Sequence, residues 1–186
     1  MGLFDLFRSR PSTTERSQFP ELCQALTKEL AILREEMFLG SCLGLKREGV
    51  DIAENVARLE KGSRLSSALQ AYQLTCIVGF ALRYLNVEDL VPFKDTLTAY
   101  VNDGDPECLA GYIERYLDCE GKINLLSSCF AQDVYELLQR PTPRETVMHF
   151  IAANAVTFGI MSQAATARLF GDVRTEGKLK SKLRVG

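Results

Sequence analysis

His149 is the only histidine in this chain of 186 residues, and Glu145 stands one helical turn before it. A carboxylate four residues ahead of an imidazole shares its helix face and can orient it, which is the pairing a general base needs. A ligand or catalytic pocket near His149 would also draw in Tyr135 and Cys129 from the preceding segment. An enzyme further needs a nucleophile or electrophile fixed beside the base, and no spacing in the chain supplies one. The structural alternative carries more weight: a histidine near the end of a buried helix, hydrogen-bonded to a carbonyl or a carboxylate. No catalytic residue is assigned.

The six cysteines (Cys23, Cys42, Cys76, Cys108, Cys119, Cys129) form no CxxC pair or other metal-ligand spacing. Most sit among apolar residues in helical patterns, where a reduced thiol behaves as a small hydrophobe. A reducing, cytoplasmic setting is therefore expected, with no metal and no cofactor. The chain lacks a GxxxxGK[ST] phosphate loop, a GxGxxG turn, a GxSxG elbow and an HExxH helix. "NDGD" at 102–105 resembles a calcium loop only in part, because the glycine and the distal glutamate miss their positions. A single histidine also rules out the paired Glu-x-x-His of di-iron bundles.

Charged residues make up 25% of the chain and hydrophobic ones 46%, with a net charge of −2, the profile of a globular protein. Acids concentrate between 86 and 121: Glu88, Asp89, Asp95, Asp103, Asp105, Glu107, Glu114, Asp118 and Glu120 face only Lys94 and Arg115. A solvated acidic face is the plain reading of that sector. The end of the chain is basic but sparse, so no nucleic-acid partner is expected.

Four large apolar side chains, Leu3, Phe4, Leu6 and Phe7, fall within the first seven residues and are followed by Arg8 and Arg10. The stretch is too short for a signal peptide or a span, and Leu6 breaks the myristoylation pattern despite Gly2. An arm of this kind either folds into a groove of its own chain or a second copy, or dips into a membrane interface.

The elements that would position these residues are helical throughout. Phe19, Leu22, Leu26, Leu30, Leu33 and Met37 recur at steps of three and four, predicting a helix over 20–39; Gly40, Gly44 and Gly49 then mark a break, the favoured reading, or a helix that packs closely on a neighbour. A short helix follows over 51–62. Ser63 opens another that reaches Leu85 and is apolar nearly all round in its second half. Residues 86–92 read as a turn, ahead of a stripe of Phe93, Leu97 and Tyr100. Asp105 then caps a helix with Pro106 in its first position; Leu109, Ile113, Tyr116 and Leu117 are its expected buried face. The next helix, over 122–139, presents Leu126, Phe130 and Val134. Thr142, Pro143 and Glu145 spell a start signal for a last helix that stops at Gly171.

Between Glu145 and Arg168 lie 22 residues without a fixed charge, long enough to cross a bilayer. His149, Asn154, Thr157, Ser162, Gln163 and Thr166 interrupt them, so a core helix is the better reading; Ala152, Ala155, Gly159, Ser162 and Ala165 would let its neighbours approach closely. The expected fold is all-α: a single-domain bundle of six or seven helices around this long, small-residue-rich C-terminal helix. An N-terminal arm over 1–18, a helical domain over 19–171 and a basic flexible tail over 172–186 complete the layout. The expected function is a non-enzymatic cytoplasmic protein-interaction module, an adapter or regulator, with a protein partner or a homodimer. Two rivals are a small-ligand-binding or enzymatic bundle with its pocket near His149, and a peripheral membrane protein held through residues 1–10.

Overall fold

The computed structural model describes residues 18–47, 49, 64–100, 105–138 and 143–183. The fold is all-α. Seven helices and no strand occur among the described residues: α1 (Phe19–Arg47), α2 (Arg64–Ala81), α3 (Val87–Ala99), α4 (Pro106–Asp118), α5 (Ile123–Leu137), α6 (Arg144–Leu169) and α7 (Val173–Lys182). The arm, the short helix expected over 51–62 and Thr142 lie outside the described residues.

Three local expectations are corrected by packing. The break at Gly40 does not occur, because α1 continues to Arg47. Gly44 is where α1 meets α6, and a Cβ there would overlap the Phe150 ring. The glycine serves close approach rather than helix termination. Residues 87–92 are likewise helical instead of a turn, with Pro92 inside α3. Proline removes one i→i−4 bond, but Phe93 and Leu97 are fully buried and Phe93 meets Phe19 edge-on at 5.5 Å, which holds the turn in place. Finally, Val173–Lys182 of the expected tail form α7, capped by the Asp172 side chain accepting from the Thr175 N–H and anchored by buried Leu179.

The signals at 105–106 and 171 act as expected, whereas α6 begins at Arg144 with Pro143 extended in the cap position instead of in the first turn. The Asp105 carboxylate accepts from the N–H groups of Glu107 and Cys108, and Pro106 occupies the first helical position, where its missing N–H costs nothing. α6 ends in a Schellman motif: Gly171 has φ +74, its N–H donates to the Arg168 carbonyl, and the Asp172 N–H reaches back to Ala167. α4 closes in the same way at Glu120 and Gly121, both with positive φ.

The core gathers on α2 and α6. α2 is buried on almost every side and packs on α3, α4, α5 and α6, while α6 touches α1, α2, α5 and α7. Tyr72 sits where they cross, wholly buried, with Phe130 at 4.7 Å and Phe158 at 6.2 Å. Its hydroxyl donates to the Ala155 carbonyl at 2.7 Å and accepts from Ser127 at 2.7 Å, tying α2 to α5 and α6. Burial pushes this phenol well above its ordinary pKa, so it remains a neutral donor.

Candidate functional site

The residues singled out around His149 do not converge. Val147, Ile151 and Ala155 set the buried face of α6, and His149, half a turn from Val147, points outward and is exposed. Glu145 is exposed as well, and no hydrogen bond among the described residues joins the two. This outcome departs from both expectations, the catalytic pair and the satisfied core histidine. Tyr135 is buried elsewhere, beneath the Arg144 guanidinium at 5.5 Å. Cys129 is half-buried beside Cys119. Six residues separate 129 from 135 on α5, which places them about 120° apart around the helix axis. None of the three cavities described below is lined by these four residues.

Cys23, Cys76, Cys108 and Cys119 are not set up for nucleophilic work. Burial pushes Cys23 and Cys76 up to about 12, and burial with nearby Asp105 and Asp133 raises Cys108. Cys119 is raised by burial and by the neighbouring Cys129 thiol. A reactive cysteine needs the opposite shift. Among the described residues no group of three or more His, Cys, Asp or Glu side chains is placed to hold a metal ion.

What the fold does build is a set of clefts around α2. The largest described, about 650 Å³, opens between the C-terminal ends of α2 and α4, the start of α5, the middle of α6 and α7. Phe80, Leu117, Ile123, Val156, Ile160 and Leu179 form its walls, with Arg83, Lys182 and Glu120 at its edges. Leu117 is 65% exposed, which corrects its expected burial. It stands at the lip of the groove. Gly79 lets Tyr116 lie flat against α2, because a Cβ at 79 would collide with that ring. The edge charges are partly engaged: Glu120 pairs with Lys122 at 2.6 Å, and the Arg83 guanidinium lies 5.0 Å over the Phe80 ring.

At the opposite end of α2 are two smaller clefts that share Ser67 and Asp105, of about 470 and 420 Å³. The second ends at a polar corner where Asp133 accepts from the Tyr112 hydroxyl at 2.7 Å and pairs with Arg115. Burial, reinforced by the Asp133 charge, raises the Tyr112 pKa far above its ordinary value. The corner therefore acts as a structural clasp between α4 and α5.

Sequence reasoning missed the apolar groove because its walls come from five separate helices. Two cues were present: Gly79 interrupting an otherwise apolar helix, and Leu179 set between the lysines of the last segment. Comparison with protein-family models, with curated proteins and with solved structures returns no match.

Proposed function

We propose that the chain is a non-enzymatic helical protein-interaction module of a reducing, cytoplasmic compartment, with the α2–α4–α5–α6–α7 groove as its docking face. The observation that carries this reading is the groove itself: about 650 Å³ of mainly apolar wall with Leu117 standing 65% exposed at the lip. Exposed, contiguous apolar surface is costly unless something covers it. The occupant we assign is the arm, delivered by a second copy in a homodimer. Leu3, Phe4, Leu6 and Phe7 supply anchors, and Asp5 between them meets the Arg83 and Lys182 edge.

Reach and energy support the assignment. The rings of Phe19, Phe93, Phe170, Tyr84 and Phe80 follow one another at 5.0–5.8 Å, linking the start of α1 to the groove wall. The twelve residues from Phe7 to Phe19 span up to about 40 Å, more than that path. The same linker therefore serves its own groove or a neighbour's, which makes the dimer exchangeable. Burying four such side chains yields on the order of 6–12 kcal/mol. Ordering six or seven residues costs a similar total at about 1–2 kcal/mol each. Docking from a second copy also carries the cost of association, so the dimer is weak and requires the upper part of the burial range, and a partner segment with Leu or Phe anchors and a carboxylate competes for the same seat.

The test uses the full-length Phe4→Ser/Phe7→Ser chain, whose groove is vacated, and a labelled peptide of residues 1–12. Saturable binding that is lost in a Leu117→Asp version is the expected result, with the sedimentation mass of the unsubstituted chain rising with concentration. Peptide binding that ignores Leu117→Asp, or no binding at all, refutes the reading. Liposome binding that depends on Phe4 and Phe7 in the absence of peptide binding would assign the arm to a membrane instead.

A further inference from the structure

Two half-buried cysteines meet across the turn that joins α4 to α5. On α4 a charge and a thiol stand one turn apart, Arg115 and the C-cap residue Cys119; on α5 the same spacing separates Cys129 from Asp133. The two helices run back on each other, so the Arg115–Asp133 ion pair sets a register in which Cys119 falls opposite Cys129. The side chains agree with that register. The two thiols lie within hydrogen-bonding reach of each other, and the Arg115 charge acts on Cys129.

Both cysteines are free thiols and only half-buried, so small reagents can reach them. No other described thiol competes for either one. Cys23 and Cys76 are sealed in the core. Cys108 precedes Cys119 by eleven residues on α4, about 16 Å along the helix axis, far beyond the span of a disulfide.

We infer that Cys119 and Cys129 form an oxidative modification site, which a low-molecular-weight disulfide converts into an intramolecular disulfide tying the end of α4 to the second turn of α5. One cysteine loses its proton to solvent and attacks a sulfur of the small disulfide, giving a mixed disulfide and releasing one small thiolate. The second cysteine, also deprotonated, attacks the mixed disulfide at the protein sulfur and releases the other. The two released thiolates take up the two protons, so the chain is oxidised by two electrons and the small disulfide is reduced to two thiols. The raised pKa of Cys119 leaves little thiolate at neutral pH and slows its part. The thiolate that does form is the more nucleophilic for it, and the second attack is intramolecular. In a reducing compartment such a bond is a reversible mark rather than a permanent staple.

Treatment of the full chain with glutathione disulfide, followed by acid quenching, alkylation and peptide mapping, tests the assignment. Trypsin cuts after Arg115 and Lys122, so the two cysteines fall on separate peptides, 116–122 and 123–144. The expected product joins these peptides, separates again on adding dithiothreitol, and melts higher than the reduced chain by roughly 5 °C or more. Cys119→Ser and Cys129→Ser each stop at one glutathione on the remaining member of the pair, whereas Cys108→Ser still gives the joined product. Circular dichroism checks the fold of each variant, and if either serine variant unfolds, the map of the unsubstituted chain still decides. Separate glutathione adducts on Cys119 and Cys129 in the folded chain, a joined product that appears only after urea unfolding, or a disulfide that lowers the melting temperature each overturns the inference.

Discussion

Gly159 and Gly111 should respond to the same substitution with opposite signs. Both are helical, so replacement by alanine gains about 0.5–1 kcal/mol in backbone terms at either site. At Gly111, on α4, a Cβ meets nothing within 4 Å, and that gain stands alone. At Gly159, on α6, it would lie 2.8 Å from the Tyr72 hydroxyl, 3.1 Å from Ile123 Cγ2 and 3.3 Å from Cys76 Sγ. A hydroxyl at the tip of a side chain can often swing away, but this one cannot. The Tyr72 ring is wedged between Phe130 and Phe158, and the oxygen is held by Ser127 and Ala155 at 2.7 Å each. Relief requires moving α6 away from α2 or breaking those bonds, an overpacking cost of about 1–3 kcal/mol. The net effect of Gly159→Ala is a loss of about 1–2 kcal/mol, lowering Tm by roughly 2–8 °C in a chain of this size. Thermal or urea unfolding of the two variants measures both signs in one experiment. A neutral or stabilising Gly159→Ala would mean that α6 does not cross α2 at Tyr72 as described, and the account of the core would fail with it.

Thiol chemistry gives a second check: Cys23 and Cys76, fully buried, should be protected from a thiol reagent in the folded chain, whereas half-buried Cys108, Cys119 and Cys129 react before unfolding. Rapid modification of Cys76 without loss of helicity would contradict its place against Gly159. Alkaline pH gives a third. Burial holds the Cys23 and Cys76 thiols at about 12 against an ordinary 9.0, and holds the Tyr72 and Tyr112 phenols well above an ordinary 10.0. The unfolded chain then loses these protons first, so their contribution is fully present below about pH 9 and falls as pH climbs toward 12. Melting temperature should drop across that window; full ionisation of all six tyrosines near pH 10 with the helical signal intact would refute the burial of Tyr72 and Tyr112.

The parts of the fold legible in the sequence are those fixed within a few residues. Asp105 with Pro106 is a start signal complete in two positions, and the Gly171 stop depends on one backbone angle. What the sequence concealed was decided by distant partners. Gly40 and Gly44 disfavour a helix locally, yet α1 gains more by lying along α6 at Phe150 than by breaking. The charges of α7 suggested a tail, but Glu176, paired with Lys180 at 2.6 Å within α7, also lies 3.7 Å from Arg168, a contact that exists only when α7 packs on α6. The error at His149 was avoidable. Ile151, Ala155, Phe158 and Ser162 already mark one face at steps of three and four, and position 149 falls away from it. The 470 Å³ cleft at the other end of α2 was not legible in this way, because residues 70, 94 and 105 meet only after three helices have packed.

The uncharged stretch from 146 to 167 follows the same logic. By length and composition α6 alone among the described helices could cross a bilayer. Its polar side chains do not decide the matter, since Asn154, Thr157 and Thr166 donate to carbonyls four residues back on their own helix at 2.8–3.2 Å, a pairing that would serve in hydrocarbon too. The distinguishing feature is what surrounds it. Ser162 to Ala167 are buried in succession, through more than a full turn, so no side of that segment is left to face lipid or water. Helices α1, α2, α5 and α7 all pack on α6, and Gly159 admits the Tyr72 hydroxyl. Over Ser162–Ala167 the helix is covered on every side and has no surface that would use a charge, and small residues permit that covering; the preceding turns keep an exposed line of His149, Ala153 and Thr157, for which burial gives no such reason.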